Sequence, residues 1–195
     1  HATQEGAALG RIRWKDLNND GKITEADQEW IYDPTPDFTY GFNIYLEYKN
    51  FDFTAFFQGV QGVDIISDLK KETDIWAGLN IGFLNKGRRL LDAWSATNPN
   101  SNIPAVSLSD NNNEKRVSSY WVENGSYLKL RTVQIGYNAP KSFAQKLAME
   151  RLRFYLSAQN VFTIKSSSFT GVDPENPNYG YPIPLNITFG LNVTF

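Results

Sequence analysis

The chain ends in LNITFGLNVTF, Leu185 to Phe195, where apolar and polar residues alternate without a miss. Successive strand side chains face opposite sides. Leu185, Ile187, Phe189, Leu191, Val193 and Phe195 therefore share one face, and Asn186, Thr188, Gly190, Asn192 and Thr194 share the other. So regular an apolar face needs cover, either a second protein layer or lipid, and the choice between them decides the fold.

Working back along the chain, the same pattern recurs. In RLRFYLSAQNVF, Leu152, Phe154, Leu156 and Ala158 oppose Arg151, Arg153, Ser157 and Gln159. SYLKLRTVQIGYN also reads as a strand, but its apolar face switches between Leu128/Leu130 and Val133/Ile135/Tyr137, which predicts a bulge or different neighbours at its two ends. FTYGFNIYLEYKN and FDFTAFFQGVQG form a pair separated by a tight turn near Lys49 and Asn50. A short helix is expected in APKSFAQKLAME, and a helical turn or two in ISDLKKETDIW.

Each segment has about the 9–11 residues of a tilted membrane-spanning strand, whereas soluble strands average nearer 5–6. Aromatic residues sit near segment ends, at Phe38, Tyr40, Tyr48, Phe51, Tyr127, Tyr137 and Phe195, where interfacial girdles lie. Connections alternate between short and long, as bacterial barrels keep short turns on the periplasmic side and long loops outside. By that parity residues 1–37, 62–125 and 165–184 are extracellular, and residues 38–195 hold the strands. The expected class is all-β: an antiparallel transmembrane β-barrel segment with long extracellular loops. About five strands cannot close alone, because two unpaired edges in hydrocarbon would leave N–H and C=O groups unsatisfied. The segment is thus read as part of a larger barrel. The rival reading is a secreted calcium-binding β-sandwich that binds glycan or protein, its apolar faces covered by a second sheet.

Composition narrows the function. A net charge of −2 with interspersed signs lacks the basic stripe of a nucleic-acid binder. There is no cysteine for a thiolate nucleophile or metal site, and the single histidine is His1, so a histidine-based catalytic or metal site has no candidate. No enzyme activity is expected. No apolar run reaches the length of a spanning helix, and HATQEGAALG does not read as a signal peptide, so an exported protein would be represented here by a mature or partial chain.

The sharpest local motif is DLNNDGKITEAD. Asp16, Asn18 and Asp20 occupy alternate positions, Gly21 supplies a sharp turn, Lys22 offers its carbonyl and Asp27 closes at the twelfth place. This spacing suits a structural Ca2+ in an EF-hand- or dockerin-like loop. The bland alternative is an Asp/Asn-rich turn with no ion. Trp94, Trp121, Tyr179 and Tyr181 lie in or beside the long loops and either stack on a sugar or pack the loops together.

In order along the chain, RIRWKDLNNDGKITEAD, PTPDFTYGFNIYLEYKNFDFTAFFQGVQG, AWSATNPNSNIP, YWVENGSYLKLRTVQIGYNAPKSF, LSAQNVFTI, GVDPE and ITFGLNVTF resemble the C-terminal part of a SusC/RagA-type TonB-dependent outer-membrane transporter of a Bacteroidetes-like bacterium. Ala158 and Leu185 depart from residues common in that family. The resemblance implies a barrel of about 22 strands, a plug and early strands outside this chain, and an importer of oligosaccharides or peptides. It also implies a SusD-like surface lipoprotein as lid, TonB acting through the missing part, and membrane lipid around the wall. Phe195 on the last strand resembles the signal read by the barrel-assembly machinery.

Overall fold

A computed structural model describes residues 2–74, 86–177 and 180–195. Its strands are β1 (Phe38–Tyr48), β2 (Phe51–Gln61), β3 (Asp64–Ile66), β4 (Val122–Asn124), β5 (Tyr127–Asn138), β6 (Arg151–Lys165) and β7 (Asn186–Thr194). Two short helices join them, α1 (Asp68–Asp74) in the expected ISDLKKETDIW stretch and α2 (Lys141–Lys146) in the expected connector. The five long strands form one antiparallel sheet in the order β1-β2-β5-β6-β7, while β3 and β4 pair separately. No described helix is long and apolar enough to cross a membrane.

The register explains why alternation was so clean. Tyr48, Phe51, Tyr137, Phe154 and Leu191 lie in one row across all five strands, and Leu46, Phe53, Ile135, Leu156 and Phe189 form the next. Ile44, Ala55, Val133, Ala158 and Ile187 make a third. Paired residues point to the same side, so the rows merge into one apolar face. On the other face the rows read Glu47, Asp52, Gly136, Tyr155, Gly190 and Tyr45, Thr54, Gln134, Ser157, Thr188.

The face switch in β5 comes from a bulge, one of its two expected causes. Phe56 pairs with Thr132 and Phe57 with Leu130, leaving Arg131 without a partner on β2. This extra residue exchanges odd for even positions, and the apolar row continues as Phe42, Phe57, Leu130 and Phe162.

The apolar face is bare. Ile187 is 67% exposed, Leu191 52%, Tyr40 38% and Ile44 36%. A β-sandwich would bury these residues under a second sheet, and no second sheet of the described residues covers them. The secreted-sandwich reading is therefore corrected: the chain buries little along this face because its cover is hydrocarbon.

The tight-turn end of the sheet is built from local chemistry. Lys49, at φ 54, closes the β1–β2 hairpin. Asn138 N donates to Asn50 O at 2.8 Å and Asn50 Nδ2 to Asn138 O at 2.7 Å, tying that turn to β5. Beyond α2, Ala148 at φ 56 ends the helix and Glu150 N donates to Thr194 O at 2.7 Å.

By compactness the chain divides into two units. One is the sheet with its turns, from Asp33–Ile65, Asn124–Asn176 and Gly180–Phe195. The other gathers residues 2–32 with the described part of 66–123. Its centre is Trp121, fully enclosed, with Ile66 and Tyr120 packed against it. Its seam is ionic: Glu114 accepts from Arg11 Nε and Ile12 N, each at 2.8 Å, and from Asn112 Nδ2 at 3.1 Å.

Candidate functional site

The polar face of the sheet carries two ionic clusters, one near each end. At the tight-turn end Asp52 is buried and receives Arg153 in a fork, Nη2 to Oδ1 at 2.6 Å and Nε to Oδ2 at 3.1 Å. Asn138 Nδ2 adds a third donor at 3.3 Å. A paired fork is the arrangement in which a carboxylate tolerates burial.

At the long-loop end, Lys129 of β5 is 1% exposed. Its Nζ donates to Asp173 Oδ2 at 2.7 Å and to Glu175 Oε2 at 2.5 Å. Glu175 Oε1 also accepts from Tyr127 OH at 2.8 Å and from Arg131 Nη2, while Arg131 Nε donates to Gln58 Oε1 at 2.8 Å. Burial by itself raises the Glu175 carboxyl pKa, but the hydrogen bonds from Lys129 and Tyr127 and the charges of Lys129 and Arg131 outweigh it. The group sits below the usual glutamate range. Sequence reasoning missed this cluster. The available signal was a lysine on a strand's polar face and two carboxylates in GVDPE, but their meeting depends on how a long loop folds.

The DLNNDGKITEAD loop folds as its turn residues direct. Asn19 at φ 61 and Gly21 at φ 81 are left-handed. Asp16 Oδ2 accepts from Gly21 N at 3.0 Å, Asn18 Oδ1 from Asp20 N at 2.9 Å, and Asp20 Oδ1 from Lys22 N at 2.8 Å. Asp16 Oδ1 is buried with no hydrogen-bond partner. Asp27 turns both oxygens to backbone amides, Oδ1 to Leu17 N at 2.8 Å and Oδ2 to Thr24 N at 2.7 Å. With Thr24 Oγ1 accepting from Ala26 N, this makes a capping box on the 3₁₀ turn Glu25–Asp27. The amides of Thr24 and Leu17 hold the Asp27 carboxyl below the usual range. Among the described residues, no three His, Cys, Asp or Glu side chains gather in metal-binding geometry.

The four aromatic candidates part ways. Trp121 is 0% exposed and its Nε1 donates to Arg116 O at 2.9 Å, so it has no face for a ligand; its assignment to substrate binding is corrected to packing. Trp94 is half-buried over Gly10, where a Cβ would overlap the indole. Tyr181 is 96% exposed. Tyr179 lies outside the described residues, as does His1.

A further polar knot surrounds Tyr120, whose hydroxyl donates to Asp74 Oδ2 at 2.9 Å while Arg89 lies 3.1 Å from the same oxygen. Lys70 Nζ donates to Tyr120 O at 2.5 Å and stands 4.1 Å from the ring centroid. Burial lowers the Lys70 pKa and raises that of Tyr120. The knot joins α1 to Arg89 and Tyr120 within the loop unit.

No protein-family model matches the chain. Its sequence is 38% identical to TonB-dependent receptor P3 of Formosa agariphila over 92% of the chain and 18% of that protein. It is 34% identical to TonB-dependent receptor P26 of the same organism, over 96% of the chain and 20% of that protein. TonB-dependent receptor SusC of Bacteroides thetaiotaomicron is 28% identical over 92% of the chain and 17% of its own length. Among solved structures, the RagAB peptide importer in its open-open state superposes with a TM-score of 0.72 at 27% identity, over 89% of this chain and 19% of that one. The closed-closed state gives 0.71 at 26%, over 92% and 20%. The chain thus spans no more than 20% of the length of these relatives. Apolar rows five strands wide and these likenesses agree: the chain belongs to the SusC/RagA-type TonB-dependent receptors of the Bacteroidetes outer membrane, and it forms a segment of their β-barrel.

Proposed function

We propose that the whole protein is an energised importer of oligosaccharides or peptides and that this chain supplies five neighbouring staves of its wall. The observation that carries the reading is the unbroken apolar face opposite a polar one, which suits a wall between lipid and a hydrated lumen. Transport needs no active site in such a wall, and a non-enzymatic role follows. The partners in this reading are the remaining barrel and plug, TonB through a segment outside this chain, and a SusD-like lipoprotein over the long loops, which lie outside the cell. The relatives named RagAB support the peptide branch, since peptide import is what their description states. Trp94 and Tyr181 are the aromatic side chains left for substrate, Tyr181 being the freer. Phe195 serves as the assembly signal. The test is to isolate the full-length protein from native membranes, identify the polypeptides that accompany it, and compare uptake of labelled oligosaccharides and peptides with and without it. A native assembly that dissolves without detergent overturns the reading.

A structural Ca2+ is the second part of the proposal. Asp16, Asn18, Asp20 and the Lys22 carbonyl are the oxygens for it, and the unpartnered Asp16 Oδ1 is the observation in its favour. Asp27 would join only by sharing oxygens that now cap Leu17 and Thr24. Titration of the full-length protein with Ca2+, against an Asp16→Asn, Asp20→Asn variant, decides it: equal heats overturn the site.

A further inference from the structure

The sheet's polar face is the lumen side of a barrel whose apolar face meets lipid, and Lys129, Arg131 and Gln58 stand on that side. Asp173 and Glu175 come from the loop between β6 and β7, yet both reach Lys129. The loop therefore folds back over the inner wall at the long-loop end rather than standing away from it.

The receiving groups form a set of their own. Arg131 is the extra residue of the β5 bulge, and Gln58 on the neighbouring strand fixes its Nε. Its Nη2, Lys129 Nζ and Tyr127 OH then converge on the single carboxylate of Glu175. Three donors from consecutive odd positions of one strand, one of them oriented from a neighbouring strand, make a built seat for an oxyanion. The donors belong to strands of the sheet, and the Glu175 and Asp173 carboxylates belong to the loop between β6 and β7.

We propose that Lys129, Arg131 and Tyr127 form an anion-binding subsite on the lumen wall, and that Glu175, with Asp173, occupies it as a tethered stand-in for an acidic substrate group. The proposal rests on the barrel reading but not on which substrate is imported. An incoming carboxylate or sulfate displaces the tethered one, and the loop then moves off the wall. Glu175 selects for ligands that carry negative charge, because a neutral ligand leaves Lys129 buried and unpaired.

Phe169, buried in the same loop, reports the loop's position. Trp30, followed by Ile31, is 86% exposed and serves as control. Full-length transporter in detergent is treated with chymotrypsin, and the cuts after both residues are timed by mass spectrometry. Sodium sulfate and sodium chloride are compared at equal ionic strength, so that screening is matched. Sulfate is expected to speed the Phe169 cut several-fold over chloride and to leave the Trp30 cut unchanged. Glu175→Gln is expected to give the fast Phe169 cut in chloride alone. Lys129→Gln is expected to abolish the difference between the two salts. A Phe169 cut equally slow in both salts and in Glu175→Gln overturns the proposal. Fast cutting in Glu175→Gln with no effect of sulfate on the parent overturns the anion seat. A methyl ester of galacturonic acid set against the free acid then separates a sugar carboxylate from an inorganic anion, and failure of uptake in the earlier experiment bears on none of these readings.

Discussion

Gly190 lies directly beneath the ring of Tyr155, its register partner across β6 and β7, so that a Cβ at position 190 would overlap the ring. Gly59 and the Tyr40 ring repeat the arrangement between β1 and β2. The glycine is needed for close approach. Gly190→Ala is expected to cost about 1–3 kcal/mol as overpacking, and Tyr155→Ala in the same chain should recover most of it. A double-mutant cycle on urea unfolding of the full-length barrel measures the coupling. Additive losses would mean that the ring is free to move aside.

Leu156 and Ser157 are neighbours on opposite faces of β6, and an arginine at each tests which face meets lipid. Leu156→Arg is expected to destabilise the barrel by about 2–4 kcal/mol if it sits near the bilayer midplane, while Ser157→Arg, on the hydrated side, should cost far less. Unfolding from lipid vesicles gives both values. Equal penalties would contradict the assignment of faces.

Much of the sheet was legible because each strand states its own pattern. Alternation of period two fixed the faces, Lys49 and Asn50 marked a turn, and the parity change between Leu130 and Val133 announced a bulge or a change of neighbours before any partner strand was known. The loop unit was not legible in this way. Arg11 meets Glu114, and Gln4 meets Asn112, across about a hundred residues with no periodicity to reveal them. Trp121 shows the same limit: composition places an aromatic near a loop, but only packing says whether its face is free. The twelfth-place Asp27 reads as a ligand by spacing and acts as a helix cap by geometry, since the same oxygen chemistry serves both.

Glu114 holds the N-terminal segment to the long loop, and its removal should leave Arg11 buried without its carboxylate. Glu114→Ala is expected to lose about 3–5 kcal/mol of local stability, the usual consequence of breaking a buried pair from one side. Hydrogen exchange at Ile12, whose amide donates to Glu114 at 2.8 Å, reports it directly. Protection of Ile12 should fall while the amides of β5 and β6 keep theirs. Unchanged protection would show that the seam is held by Gln4 and Asn112 instead.

Glu175 makes the β6–β7 loop sensitive to acid, and the sign follows from its lowered pKa. Between the folded value and the ordinary glutamate value the unfolded loop binds the proton and the folded loop does not, so stability rises with pH across that window. The contribution is complete above pH 4.5, the ordinary value, and is lost as pH falls through the lower folded value. Hydrogen exchange of residues 166–176, corrected for intrinsic rates and followed from about pH 7 to pH 3, should show protection constant at first and then declining. Glu175→Gln should remove this decline and give low protection throughout, because a neutral amide cannot balance Lys129 and Arg131. An acid decline that persists unchanged in Glu175→Gln would show that Glu175 is not its source.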